Sequence, residues 1–185
     1  MKINDKNRAI IEWIMAIVLI VICFKYSILS YGSFSPIKAH ELSERTYHYG
    51  PSKIIKTIDL NGGKIYLCRY KEWFSANTVK KGVIKWYPGD QVAGTPIDYS
   101  KQVSYSWGNS HAKGDTSIMK IYGYVNDSNI TTMLIEDNTT NTSRDDLDES
   151  RMFIFYWNED KEKHEIKYLR GLNKEGKIIY EEKIY

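Results

Sequence analysis

Lys53-Ile-Ile-Lys-Thr-Ile-Asp-Leu-Asn-Gly-Gly-Lys-Ile-Tyr-Leu-Cys-Arg-Tyr70 decides the fold class. Two runs rich in strand formers flank Asn61-Gly62-Gly63, and such a turn between apolar runs is a strong hairpin signal. Alternation in the second run puts Ile65 and Leu67 on one face and Tyr66, Cys68 and Tyr70 on the other. Working outward, strands are expected over residues 82–87, 102–107, 117–125, 131–136 and 152–157. A second hairpin closes the chain, turning at Asn173-Lys-Glu-Gly176. Residues 75–81 read as one helical turn, with Ser75 as cap and Gly82 as stop. A short helix is expected over residues 36–47, capped by Ser35 with Pro36 in its first turn. The expected class is mainly β: one β-sandwich or partly open barrel of about eight or nine strands.

The N-terminus carries a different signal. The run Trp13-Ile-Met-Ala-Ile-Val-Leu-Ile-Val-Ile-Cys-Phe24 follows Lys2, Lys6 and Arg8, and between residues 9 and 24 only Glu12 is charged. Extended through Tyr26-Ser-Ile-Leu29, with Lys25 reaching the headgroups, the run is expected to be a single transmembrane helix with its N-terminus cytoplasmic. The expected organisation is a cytoplasmic N-terminus (1–8), an anchor (9–29), a stem (30–36) and an extracytoplasmic β-rich domain (37–185) at the cell membrane. A cleaved signal peptide ending near Ser30-Tyr-Gly32 and a lipoprotein signal at Cys23 are the competing readings, and both also export the domain.

Outside that run Cys68 is the single thiol, so no internal disulfide can form there and the domain depends on its core. Lys outnumbers Arg 20 to 6, a bias in keeping with an AT-rich bacterial genome. The net charge of +3 conceals a division. Residues 50–123 hold 11 basic and 5 acidic residues, whereas residues 124–185 hold 9 and 14. Strands of the two halves pairing with each other would use that division; a basic face meeting an anionic lipid or wall polymer is the sharper reading. The domain is near neutral, which excludes a nucleic-acid partner.

Candidate chemistry is sparse. A nucleophilic Cys68 needs a histidine, and only His40 and His48 lie upstream. The neighbourhood of Cys68 matches neither the sortase nor the L,D-transpeptidase pattern, so it reads as a half-buried strand residue. Ser110-His111 lacks a Gly-x-Ser-x-Gly elbow and reads as loop. His164 reads as solvated, and the scattered histidines give no transition-metal spacing. Asp145, Asp146, Asp148 and Glu149 could at most hold a weak cation, without the spacing of an EF-hand. No cofactor motif is present. Trp73, Trp86, Tyr87 and Trp107 lie near turns, where flat aromatic faces could stack sugars or grip a partner.

The segments Ala39-His-Glu-Leu-Ser-Glu-Arg-Thr-Tyr-His-Tyr-Gly-Pro-Ser52, Tyr70-Lys-Glu-Trp-Phe-Ser-Ala-Asn-Thr-Val79 and Gly171-Leu-Asn-Lys-Glu-Gly-Lys-Ile-Ile-Tyr180 resemble uncharacterised membrane-anchored proteins of Bacillus- and Clostridium-type bacteria. The resemblance implies a β-rich exported domain and no transferable activity. The expected role is non-enzymatic binding or sensing at the cell envelope, with wall glycan, teichoic acid or another envelope protein as partner. An envelope enzyme of unidentified class is the further alternative.

Overall fold

The computed structural model describes residues 5–23, 32–90, 92–161 and 164–184. Two helices, α1 (Asp5–Cys23) and α2 (Pro36–Thr46), precede twelve strands. They are β1 (Lys53–Leu60), β2 (Gly63–Tyr70), β3 (Trp73–Lys81), β4 (Trp86–Pro88), β5 (Thr95–Pro96), β6 (Val103–His111), β7 (Ser117–Val125), β8 (Thr132–Asp137), β9 (Thr142–Asp146), β10 (Met152–Asn158), β11 (Ile166–Leu172) and β12 (Ile178–Lys183).

These strands form three antiparallel sheets rather than one sandwich or barrel. The first runs β1-β2-β3-β4, with β5 also on β3; the second runs β10-β7-β6; the third runs β12-β11-β8-β9. The second sheet is the middle layer. Ile65, Leu67, Phe74 and Ala76 of the first sheet pack on Ile118, Tyr122, Met152 and Ile154 of the second. The opposite face of the second sheet, with Val103, Ile121, Val125, Phe153 and Phe155, packs on Met133, Ile135, Ile166 and Leu169 of the third. The far face of the first sheet is covered by α2, where Ala39 meets Tyr66, Cys68 and Val79. The order of layers is helix, sheet, sheet, sheet, and a strand alternation that predicts one core thereby serves several.

Local chemistry explains most of the turns. Leu60 pairs with Gly63, leaving Asn61-Gly62 as a two-residue turn with Gly62 at φ +79°. Asn173 Oδ1 accepts the amides of Glu175 and Lys177 and shapes the closing hairpin. The Ser35 carbonyl accepts the Ala39 amide at 3.0 Å and so opens α2, but its hydroxyl makes no cap. Residues 75–81 are strand, not a helical turn. In β3 the polar Ser75, Asn77 and Thr78 are buried, and that disguised a strand covered on both faces. The polar stretch 137–150 contains β9, which pairs with β8 from Thr132↔Asp146 to Glu136↔Thr142. Strand pairing across the charge division is that of β7 with β10 and of Val103 and Ser104 in β6 with Val125 and Tyr124 in β7.

The expected single-pass anchor at 9–29 must be corrected. Among the described residues no helix is long and apolar enough to cross a membrane. The 19-residue α1 carries Lys6, Arg8 and Glu12 in its first half. Its uncharged part, residues 13–23, rises about 16 Å against a hydrocarbon core of roughly 30 Å. The extension through 24–29 and residues 30–31 of the stem lie outside the described residues. The single-pass cell-membrane location, with a cytoplasmic N-terminus, rested on that anchor and falls with it.

Candidate functional site

The site grows from the register of the middle sheet. In an antiparallel sheet, residues paired across strands share a face. Trp107 of β6 pairs with Ile121 of β7, which pairs with Phe155 of β10. One step along, Asn109 pairs with Met119, and Met119 with Trp157. These side chains face the third sheet. That sheet covers Ile121 and Phe155 but leaves the β6 side open, so Trp107 is 57% exposed. The result is a cleft of about 150 Å³ lined by Tyr105, Trp107, Met119, Ile121, Trp157, His164, Ile166 and Ile184. A cavity of that size takes one benzene-sized group.

Its walls are held by polar contacts. The His164 ring meets Trp157 edge-on at 5.8 Å and bonds through Nδ1 to Asp137 Oδ2 at 2.9 Å. Asp137 also accepts the Thr139 hydroxyl at 2.7 Å and the Thr139 and Asn141 amides at 2.9 Å each. These donors, the Thr139 hydroxyl first, hold its carboxyl well below the usual carboxylate range. The Tyr105 hydroxyl donates to Glu182 Oε1 at 3.1 Å. Burial, then the Glu182 charge and this hydrogen bond, push Tyr105 up to about 12. At the other end, Asn109 Nδ2 donates to Ser117 Oγ at 2.8 Å and Glu159 Oε2 at 3.1 Å. The cleft therefore has an apolar floor, aromatic walls and a carboxylate at each end.

Of the aromatic residues singled out in the sequence, Trp107 alone lines this cleft. Trp86 packs beneath α2 with Tyr66 and Val79, and Tyr87 is half-buried beside it. Trp73 lies at the opposite end of β3, paired with Pro96. No joint platform forms from the four. Trp157 and His164 were not legible as site residues. The pairing of β10 with β7 across a long sequence gap brings Trp157 to the Trp107 face, and His164, in the connection to β11, joins it by its ring contact with Trp157. The carboxylates of the 145–149 stretch are engaged in separate places. Asp145 accepts Lys56 at 3.1 Å and the Ile154 amide at 3.0 Å. Asp146 accepts the Thr132 hydroxyl at 2.7 Å, and Asp148 the Ser150 amide at 2.8 Å. Glu149 lines an open groove with Lys53, Arg69 and Lys71. No group of three potential metal ligands converges among the described residues.

A second constellation lies under α2. His40 Nε2 is 3.6 Å from Cys68 Sγ, and His40 Nδ1 is 2.8 Å from Asn77 Oδ1. Asn77 Nδ2 donates to Asp90 at 2.6 Å, which turns its oxygen towards His40 and requires the proton on Nδ1. Thiol, imidazole and amide resemble a nucleophilic triad in outline, but the chemistry is absent. His40, Cys68 and Asn77 are buried under the helix. The same Nε2 faces Glu44 Oε1 at 3.2 Å and Ser52 Oγ at 3.4 Å, both nearer than the sulfur. Burial pushes the Cys68 thiol up to about 12, with the Ser52 bond opposing and Glu44 adding. The cluster docks α2 on the first sheet.

Thiol titration checks this. The native chain is expected to react fast with a disulfide reagent at exposed Cys23 alone, and at both cysteines once denatured. The thiol's ordinary value is 9.0, so its contribution to stability is full below that pH and is lost as pH climbs towards 12. The Cys68→Ala variant is expected to show a smaller alkaline loss in denaturant midpoint. Fast native reaction of Cys68 would show that α2 does not seal it.

No protein-family model, no curated protein and no solved structure matches this chain.

Proposed function

We propose that the protein is a non-enzymatic binding module and that its ligand site is the cleft edged by Trp107. The observation that carries this reading is an exposed tryptophan beside a small apolar cleft whose other walls are Tyr105, Trp157 and His164. A large aromatic left more than half in water gains little in the free protein. The same ring gains when a ligand group covers it. The volume favours one ring or one branched aliphatic group as the part of the ligand that enters. An extended sugar-stacking surface is less favoured, since Trp73, Trp86 and Tyr87 lie away from Trp107.

The test is a titration of the full chain with indole and, separately, with a chitin oligosaccharide, followed by the indole N–H signals of Trp107 and Trp157. Indole is expected to move both signals. Trp107→Ala is expected to weaken binding at least tenfold while shifting the melting temperature by only about 2 °C, as for an exposed side chain. Binding that survives Trp107→Ala unchanged would place the ligand elsewhere.

A further inference from the structure

We infer that the cleft's ligand is an extended polypeptide that adds as a strand to the free edge of β6, an inference resting on the cleft being the binding site. In an antiparallel pair, alternate residues aim both backbone groups at the partner strand and the rest aim both away. The Val125 amide reaches Arg151 O, and the Glu159 amide reaches Ser117 O. Odd-numbered residues of β7 therefore serve β10, and even-numbered ones serve β6. The register sets Ser104, Ser106, Gly108 and Ser110 opposite Tyr124, Tyr122, Lys120 and Ile118. Odd-numbered residues of β6 consequently turn outward. His111 obeys this, its amide reaching Gly89 O at 3.1 Å. Tyr105, Trp107 and Asn109 are left with N–H and C=O aimed off the sheet, and no hydrogen bond meets them among the described residues.

Native proteins blunt such edges with charge, proline, bulges or cover. The other edges here follow that rule. β1 carries Lys53, Lys56, Asp59 and a bulge between Ile54 and Lys56. β4 has three residues and ends on Pro88, while β9 and β12 are rich in charge. On β10 the outward amides of Met152 and Ile154 are taken by Ser150 Oγ and Asp145 Oδ2. The middle of β6, Tyr105-Ser-Trp-Gly-Asn109, carries no charge, proline or bulge, although β5 of the first sheet lies close to β6. A Cβ at Gly108 would have no neighbour within 4 Å on the face of β6 that carries Ser104, Ser106 and Ser110, so nothing crowds the strand there.

Of the three residues with outward backbone groups, Tyr105 and Trp107 also line the cleft, and Asn109 follows them on the same face of β6. A strand laid on this edge places every second side chain on the Tyr105, Trp107 and Asn109 face. The one opposite Trp107 leans over the cleft and is apolar, aromatic or branched. Its neighbours two residues away on either side approach the cleft's ends, where Glu182 and Glu159 have no ion pair among the described residues. Charge complementarity makes those positions basic. The recognised segment is basic, any, apolar, any, basic, in extended form.

The experiment titrates the full chain with the capped peptide Lys-Thr-Leu-Thr-Lys, with a version N-methylated at the central leucine and the lysines, and with one carrying Glu for both Lys. The parent peptide is expected to shift the backbone amides of Tyr105, Trp107 and Asn109 and slow their hydrogen exchange. Each altered peptide is expected to bind at least tenfold more weakly. Equal binding of the methylated peptides would overturn strand addition, and equal binding of the Glu peptide would overturn the charge assignment. Indole or oligosaccharide binding without peptide binding would overturn this inference and leave the cleft reading standing. No binding of any probe would overturn both.

Discussion

Asp90→Ala is expected to cost about 3–5 kcal/mol of stability, the usual consequence of removing one partner of a buried ion pair. Lys120 springs from the middle sheet with its side chain 1% exposed and pairs with Asp90, itself 9% exposed. The ammonium also donates to the Ala76 carbonyl at 2.8 Å and the Thr78 hydroxyl at 2.9 Å, both on the first sheet. Asp90 Oδ1 accepts Asn77 Nδ2 at 2.6 Å and the Thr78 amide at 2.9 Å. One carboxylate thus ties the first sheet, through Asn77 and Thr78, to the middle sheet, through Lys120. Its loss strands a buried cation and two donors, each with its own desolvation cost. For a chain of this size the melting temperature is expected to fall by roughly 10 °C or more. The double variant Asp90→Asn with Lys120→Met keeps an acceptor for Asn77 and Thr78 and removes both charges. It is expected to recover most of the loss, as apolar replacement of buried ion pairs often does. Chemical denaturation of the three proteins checks this. A double variant as unstable as Asp90→Ala would show that the acceptor geometry matters and the stranded charge does not.

That tie also marks the limit of what the sequence could reveal. The hairpin at Asn61-Gly62, the faces of β2, and the strands at 117–125 and 152–157 were legible, because turn chemistry and alternation are local. The layer count was not. Met152-Phe-Ile-Phe-Tyr-Trp157 does carry the necessary signal: an apolar run without alternation, as expected of a strand covered on both faces. Reading it as one side of a simple sandwich left out a third sheet. β3 was hidden for the opposite reason. Ser75, Asn77 and Thr78 look like surface residues, yet Asn77 and Thr78 are satisfied by Asp90, His40 and Ser110 from distant parts of the chain. Of the cleft, Trp107 stood out as an aromatic near a turn. Trp157 did not, since its role depends on the partners of Met119 on both sides. The anchor was misjudged on length: Lys6 and Arg8 lie inside α1 rather than before it, and Glu12 leaves only residues 13–23 of the helix uncharged.

Phe153→Ala is the other large effect, expected at about 3–5 kcal/mol, the range for emptying a buried aromatic site. Phe153 is fully buried on β10, on the face of the middle sheet that meets the third. Its ring lies 5.9 Å from that of Phe155 and over Gly123, its register partner on β7. Collapse cannot refill the void cheaply, because both neighbouring layers are sheets whose backbones are fixed by their own ladders. Phe153→Leu keeps most of the volume and is expected to lose about 1 kcal/mol. Gly123 sharpens the argument. A Cβ there would lie 2.8 Å from the Phe153 ring and 2.2 Å from the Ser104 carbonyl. If the ring were the main obstacle, Phe153→Ala would make room and Gly123→Ala would become tolerable in its presence. The Ser104 oxygen belongs to the backbone of β6, however, and cannot yield without breaking the pairing that presents Trp107. The double variant is therefore expected to be less stable than Phe153→Ala alone and to lose indole binding at the cleft, whereas Phe153→Leu retains it. Denaturant midpoints and the Trp107 indole signal, measured on the same samples, decide between the two obstacles.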